Sequence, residues 1–255
     1  METDEHPLTK AERKAIKKQQ KQEGKQRERQ RQILWRIGKY LGLLVGLVVI
    51  GWAIYNGIVP IPEKEKNKPI DQIMADDWVR GNRQALVKIV EYSDFQCPSC
   101  ARITPILDEV LKSYPTQVGL AYRHFPLKGV HMQADLAAQA AEAAGKQGKF
   151  WEMHDLLFKN QSEWAQNRSA QGLFEQYARD LGLQMDQFKR DLKSREVRGA
   201  VQADYMSGLE HNLSSTPSFF INGELVLTAK ETDAFKQIID QKLIEATTAA
   251  RYEFK

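Results

Sequence analysis

The apolar positions of this chain change period several times along its length. Residues 40–58 contain no charge and are dominated by Leu41, Leu43, Leu44, Val45, Leu47, Val48, Val49, Ile50 and Ile54. Roughly 20 residues of helix cross a bilayer, so this run predicts one transmembrane helix, with Trp35 and Tyr40 near one interface and Trp52 and Tyr55 near the other. A polar, proline-containing stretch over 60–69 follows, a composition that cannot bury itself and predicts a spacer. The pattern then becomes that of a folded domain. Leu86, Val87, Ile89, Val90 and Tyr92 predict a buried strand. From 100 to 114 the apolar residues Ile103, Ile106, Leu107, Val110 and Leu111 recur at helical spacing, and Pro115 closes the segment. Pro105 lacks an N–H and is expected to kink that helix. Residues 118–124 predict a second strand, so that strand, helix and strand make a right-handed parallel crossover.

Helical spacing then persists through an Ala-rich segment at 131–145 and through 150–160, 170–181, 185–192 and 196–210, with Gly or Ser between them. Beyond Pro217, residues 218–221 and 224–227 flank Asn222-Gly223, a strong hairpin signal, and 233–246 closes as an amphipathic helix. The expected organisation is a basic tail (1–39), a transmembrane helix (40–58), a linker (59–75) and an α/β domain (76–255) with a helical insertion at about 128–212.

A chain of 255 residues at 42% hydrophobic composition can bury a core. Its net charge of +4 resides in the tail: residues 1–39 hold 12 Lys/Arg against 6 Asp/Glu, and the remainder 25 against 27. The folded part therefore offers no electrostatic case for binding nucleic acid. Arg27, Arg29, Arg31, Arg36 and Lys39 all precede the apolar run, which places the N-terminus in the cytoplasm and the domain across the membrane. A cleaved signal peptide ending near Gly51-Trp52-Ala53 is the competing reading. Its positive region would be far longer than signal sequences carry, and the apolar run continues past that site.

The two cysteines of the chain form Cys97-Pro98-Ser99-Cys100. A ring of four residues restricts the unfolded chain very little, so stability is a poor reason for this spacing. A zinc site would need about four ligands, usually from a second such pair, which is absent. Between a strand and a helix the spacing has another use: the first sulfur sits at the helix N-terminus, where free N–H groups and the dipole favour the nucleophilic thiolate. Cys100, one turn further in, can then resolve a mixed disulfide. Pro98 fits the first helical turn without losing a hydrogen bond, and Ser99 adds no charge beside Cys97. His124, His131, His154 and His211 raise the alternative of a copper-binding module, but none lies beside the cysteines in sequence.

Residues 91–100 (EYSDFQCPSC), 123–127 (RHFPL), 148–154 (GKFWEMH) and 215–223 (STPSFFING), in this order, resemble the bacterial DsbA-like thiol-disulfide oxidoreductases over about residues 80–245. The resemblance implies a thioredoxin-like fold with a helical insertion, Cys97 as attacking and Cys100 as resolving cysteine, and a cis-proline at Pro217 facing them after Thr216. It makes Glu91 the buried acid that relays protons to the inner cysteine. It also implies a membrane-anchored oxidase that needs no cofactor, acts outside the cytoplasm on reduced or misoxidised exported proteins, and is reoxidised by a DsbB-like quinone-linked membrane partner. The chain departs from the pattern in Pro98-Ser99, which stands where DsbA has Pro-His. A disulfide reductase or isomerase on the same fold, or a copper metallochaperone, are the alternatives.

Overall fold

Short β-branched and aromatic runs separated by helices build a five-stranded sheet. The computed structural model describes residues 68–226 and 231–253. The tail at 1–39 and the apolar run at 40–58 lie outside the described residues, and among those described no helix is long and apolar enough to cross a membrane.

The elements are β1 (Trp78–Gly81), β2 (Val87–Ser93), α1 (Pro98–Ser113), β3 (Val118–His124), α2 (Ala134–Gly145), α3 (Phe150–Lys159), α4 (Gln161–Trp164), α5 (Ala170–Asp180), α6 (Met185–Leu192), α7 (Arg195–Glu210), β4 (Ser218–Ile221), β5 (Glu224–Val226) and α8 (Thr232–Glu253). The sheet order is β1-β3-β2-β4-β5. β2 and β3 are parallel, with Glu91 opposite Tyr122, while β4 runs antiparallel to β2 with Phe219 opposite Glu91. These central strands are covered on both faces, so apolar residues dominate them, and polar groups they carry, Glu91 and Ser93 on β2 and Arg123 and His124 on β3, are buried too. On one face, Val87, Ile89, Val118, Leu120, Phe219 and Ile221 pack against Ile103, Leu107 and Val110 of α1 and Phe235 and Ile239 of α8. On the other, Val90, Tyr92, Ala121 and Phe220 pack with Phe125 and Leu213.

The sequence reading missed β1. Trp-Val-Arg-Gly is too short to show a period, it is only partly buried, and Gly81 at φ 84° ends it in the left-handed region. Its pairing with β3 supplies the signal that the local pattern lacks.

The helical block α2–α7 interrupts the fold between β3 and β4. α2 is Ala-rich because its neighbours approach closely: Ala137, Ala140, Ala141, Ala143 and Ala144 are all fully buried, against a set that includes Trp164, Phe174 and Phe188. Ser194 caps α7 by accepting a hydrogen bond from the Val197 N–H at 3.1 Å.

Residues 68–75, the last part of the expected linker, pack onto the domain. Lys68 is 7% exposed and its ammonium contacts Asp204 at 2.7 Å, Asp76 at 2.9 Å and Asp77 at 3.6 Å. The fully buried Arg123 grips Asp77 with two N–H groups (3.0 and 2.9 Å) and donates to the carbonyls of Pro69 and Gln72. Ile70 and Ile73 pack beside Val90 and Tyr92. Paired polar groups, not apolar periodicity, fold this segment, so its composition reads as solvated.

Candidate active site

β2 runs straight into the segment that carries the cysteines. Asp94 turns the chain by accepting hydrogen bonds from the Gln96 N–H (2.7 Å), the Leu127 N–H (2.9 Å) and His131 Nδ1 (2.7 Å). The Asp94 carbonyl accepts the Cys97 N–H at 3.0 Å. The helical block holds the same segment from the other side. Gln161 Nε2 donates to the carbonyls of Phe95 (2.7 Å) and Cys97 (3.0 Å), and Gln96 reaches across to the Ala165 carbonyl and the Gln133 N–H. Asp94, Gln96 and Gln161 carry no role that the sequence reveals, and His131, weighed there only as a copper ligand, instead holds Asp94. Their partners lie up to about 70 residues away, beyond any local pattern.

Cys97 is the N-cap residue of α1, in extended conformation, with Pro98 in the first turn and no acidic side chain there. Its own side chain makes no capping bond, so the first-turn N–H groups are free to meet the sulfur. Cys97 is 7% exposed and Cys100 0%, and both are free thiols. The Cys100 thiol donates toward Cys97 and is the largest influence drawing the Cys97 pKa down to about 5, against the effect of burial. The Thr216 hydroxyl and the N–H groups of Cys100 and Ser99 add to it. Cys100 is pushed well above the ordinary thiol value, first by burial, then by holding its proton for Cys97, and further by the charge of Glu91. The arrangement thus separates the two sulfurs, with a thiolate favoured outside and a thiol inside.

Thr216 and Pro217, joined by a cis peptide bond, meet this pair. As a thiol, Cys97 donates to the Thr216 carbonyl at 3.4 Å. The buried Thr216 hydroxyl meets hydrogen-bond geometry with no described residue, yet it lies near enough to Cys97 to favour its thiolate.

Beneath Cys100 lies a polar cluster that the sheet register assembles. Glu91 is 2% exposed, and burial raises its carboxyl to about 7 while Ser93 and the charge of Arg80 pull weakly the other way. Tyr122, its neighbour on β3, is likewise raised by burial and then by Glu91 and Cys100. Glu91 Oε1, Ser93 Oγ and Tyr122 OH are buried and close enough to influence one another, yet none meets hydrogen-bond geometry with a described residue. The Glu91 assignment marks this cluster, but Ser93 and Tyr122 escaped the sequence reading.

The histidines are placed elsewhere: His124 on Glu142 (3.0 Å), His131 on Asp94, His154 on Asp155 (2.8 Å) and His211 on the Lys68 carbonyl (3.1 Å). Among the described residues, no three His, Cys, Asp or Glu side chains form a group able to hold a metal.

A family model described as thioredoxin matches residues 74–241. The chain belongs to the thioredoxin family. Two solved structures illustrate which branch of the thioredoxin fold it follows. A thioredoxin-like oxidoreductase from Silicibacter pomeroyi DSS-3 superposes with a TM-score of 0.58 at 27% identity, covering 66% of this chain and 92% of that one. The alpha-DsbA1 of Wolbachia pipientis superposes with a TM-score of 0.63 at 19% identity, covering 70% and 96%. The fold is thus that of DsbA-like thioredoxin proteins. Among curated proteins, the Na(+)/H(+) antiporter NhaA 3 of Salinispora tropica is 46% identical over 147 residues, which is 58% of this chain and 22% of that protein. The chain spans less than a third of the length of the curated relatives it matches, so that name describes a protein of which only part resembles this thioredoxin-family chain.

Proposed function

We propose that the chain is a protein thiol-disulfide oxidoreductase in which Cys97 attacks and Cys100 resolves. The observation that carries this reading is geometric: Cys97 caps the N-terminus of α1 against the cis Thr216-Pro217 turn while Cys100 is fully buried one turn in, an arrangement that displaces the two thiols in opposite directions, Cys97 down to about 5 and Cys100 upward. A disulfide made only for stability gives no reason for that split.

In the oxidising direction a substrate thiolate attacks Cys97 of the Cys97–Cys100 disulfide. The intramolecular S–S bond breaks, a substrate–Cys97 bond forms, and Cys100 leaves and takes up a proton. A second substrate thiolate then attacks the substrate sulfur of the mixed disulfide and expels Cys97 as a thiolate. Two electrons have passed to the protein, and the substrate carries the new disulfide. Glu91, poised near neutrality under Cys100, supplies and removes the inner proton. Thr216 offers its backbone to an extended substrate strand, and Pro217 lacks the N–H that would compete for it. A low pKa at Cys97 stabilises the reduced protein and so makes its disulfide oxidising, which supports the oxidase over the reductase or isomerase. The substrates are then reduced or misoxidised exported proteins, and a DsbB-like quinone-linked membrane oxidase restores the disulfide. The domain stands outside the cytoplasm, anchored to the cell membrane by residues 40–58 with the N-terminus inside.

Equilibration of the full chain against glutathione tests the direction. A potential less negative than that of glutathione supports the oxidase, and one far more negative refutes it in favour of a reductase. Alkylation by iodoacetamide tests the roles: Cys97 reacts first, and Cys100→Ser accumulates mixed disulfides while Cys97→Ser forms none. Adducts appearing in Cys97→Ser alone would overturn the assignment.

A further inference from the structure

A groove with a cavity volume of about 630 Å³ opens beside the cysteine pair. Its lining is mixed: Ile103 and Ile106 of α1 with Pro217, Phe219 and Val226 make the apolar part, and serine and threonine residues the polar part. Among the described residues one charged side chain lines it, Arg102. This guanidinium is exposed and, among the described residues, makes a single hydrogen bond, to Ser99 Oγ at 2.9 Å, inside the turn between the two cysteines. Among the described residues no carboxylate lies within ion-pair distance of it. Arg80, on β1, is by contrast paired with Asp108 at 2.6 Å and Asp155 at 2.8 Å, and the buried Arg123 with Asp77 at 2.9 Å. Arg102 therefore offers most of its five N–H donors to whatever enters the groove, in a fork that suits a carboxylate.

We propose that Arg102 is a specificity-determining residue, selecting exchange partners that carry an Asp or Glu close to the reacting cysteine, with a neighbouring apolar side chain in the groove. This rests on the exchange chemistry proposed above and deepens it by naming the substrate class. The same mixed disulfide is reached from either side: in the oxidising direction the partner's thiolate attacks Cys97 and Cys100 leaves, and in the reverse direction the Cys97 thiolate attacks the partner's disulfide, a Cys97–partner S–S bond forms, and the displaced thiol leaves as its thiolate. Arg102 touches the side chain next to the partner's cysteine and takes no part in the electron transfer.

The test uses the full-length chain carrying Cys100→Ser, so that reaction stops at the mixed disulfide. Peptides with one cysteine, joined by a disulfide to a chromogenic aromatic thiol, carry Glu, Gln or Lys in turn at each of the three positions on either side, with Leu constant nearby. Release of the aromatic thiol reports the second-order rate, normalised to the rate of neutral iodoacetamide at Cys97 so that any change in the thiolate itself is removed. At one position or more the Glu peptide should react about two- to fivefold faster than the Gln peptide and the Lys peptide slower, as befits an exposed ion pair. Arg102→Gln should level the series, Arg102→Glu should invert it, Arg102→Lys should keep its order, and added salt should flatten it. Equal rates for all peptides in the parent, or a Glu preference that survives Arg102→Gln, overturn the proposal. The underlying exchange reading fails in a different way: no peptide forms an adduct in any variant although iodoacetamide still modifies Cys97.

Discussion

The split between the two thiols has a thermodynamic consequence that can be measured without any substrate. In the unfolded chain Cys97 titrates near the ordinary thiol value of about 8.5, and in the folded reduced protein at about 5. A depressed acid contributes stability that is complete above the unfolded value and is lost as pH falls through the folded one. The stability of the reduced protein relative to the oxidised protein should therefore decline as pH is lowered from about 8 to 5. The oxidised form is the reference because neither sulfur titrates in a disulfide. Glu91 pulls the other way, since its raised carboxyl destabilises the fold as pH rises toward neutrality, but it is present in both forms and largely cancels in the difference. Cys100 is raised, so its influence is confined to pH above about 8.5. Each unit of pH inside the window is worth at most about 1.4 kcal/mol. Cys97 retains some contact with solvent, which screens the interaction, so a total of roughly 2 kcal/mol over the window is the reasonable size. Urea unfolding of the reduced and oxidised full-length chain at half-unit pH steps gives this difference directly. A difference independent of pH, or a Cys97→Ser variant whose stability declines with falling pH just as that of the reduced wild type does, would refute the account of Cys97 as a stabilised thiolate.

Three further outcomes are expected. Glu91→Gln should stabilise the fold by about 2 kcal/mol at pH 8 and by little at pH 4, since a carboxyl raised to about 7 opposes folding only where the unfolded chain ionises it, and it should remove the inflection near pH 7 from the resolving step. Denaturant unfolding and the pH dependence of mixed-disulfide resolution check the two halves. Asp204→Ala should destabilise the domain by about 3–5 kcal/mol, because it strips a buried partner from Lys68 and from the His124 N–H, and thermal unfolding measures this. A protease added outside spheroplasts should digest residues beyond Pro60 and leave the first 39 intact, and protection of the cysteine pair would place it in a reducing compartment and overturn the oxidase reading.

What could be read from the sequence was what local pattern carries. β2, α1 and β3 follow from apolar period, and the Cys97–Cys100 pair from spacing and its strand-to-helix position. The hairpin at Asn222-Gly223 shows itself because only a few residue types accept a positive φ, and both do so here, at 48° and 88°. What stayed hidden depends on contacts across the chain. Gln161 becomes part of the site only because α4 lies against Cys97, and Tyr122 only because register sets it opposite Glu91. Arg102 reads as one of many exposed helix cations until the opposite wall of the groove, more than 110 residues later, is in place. The wrapping of 68–75 was hidden for a different reason: ion pairs and carbonyl contacts leave no hydrophobic trace.

That wrapping also fixes how the domain bears load. Tension applied to the chain ahead of Lys68 is received first by a buried ammonium gripped by Asp76, Asp77 and Asp204, and next by the Pro69 and Gln72 carbonyls on Arg123. These contacts connect that end of the chain to β3 and α7, away from the Cys97–Thr216 contact. A pull entering at Lys68 therefore meets ion pairs and carbonyl contacts on β3 and α7 before it meets the segment that carries Cys97.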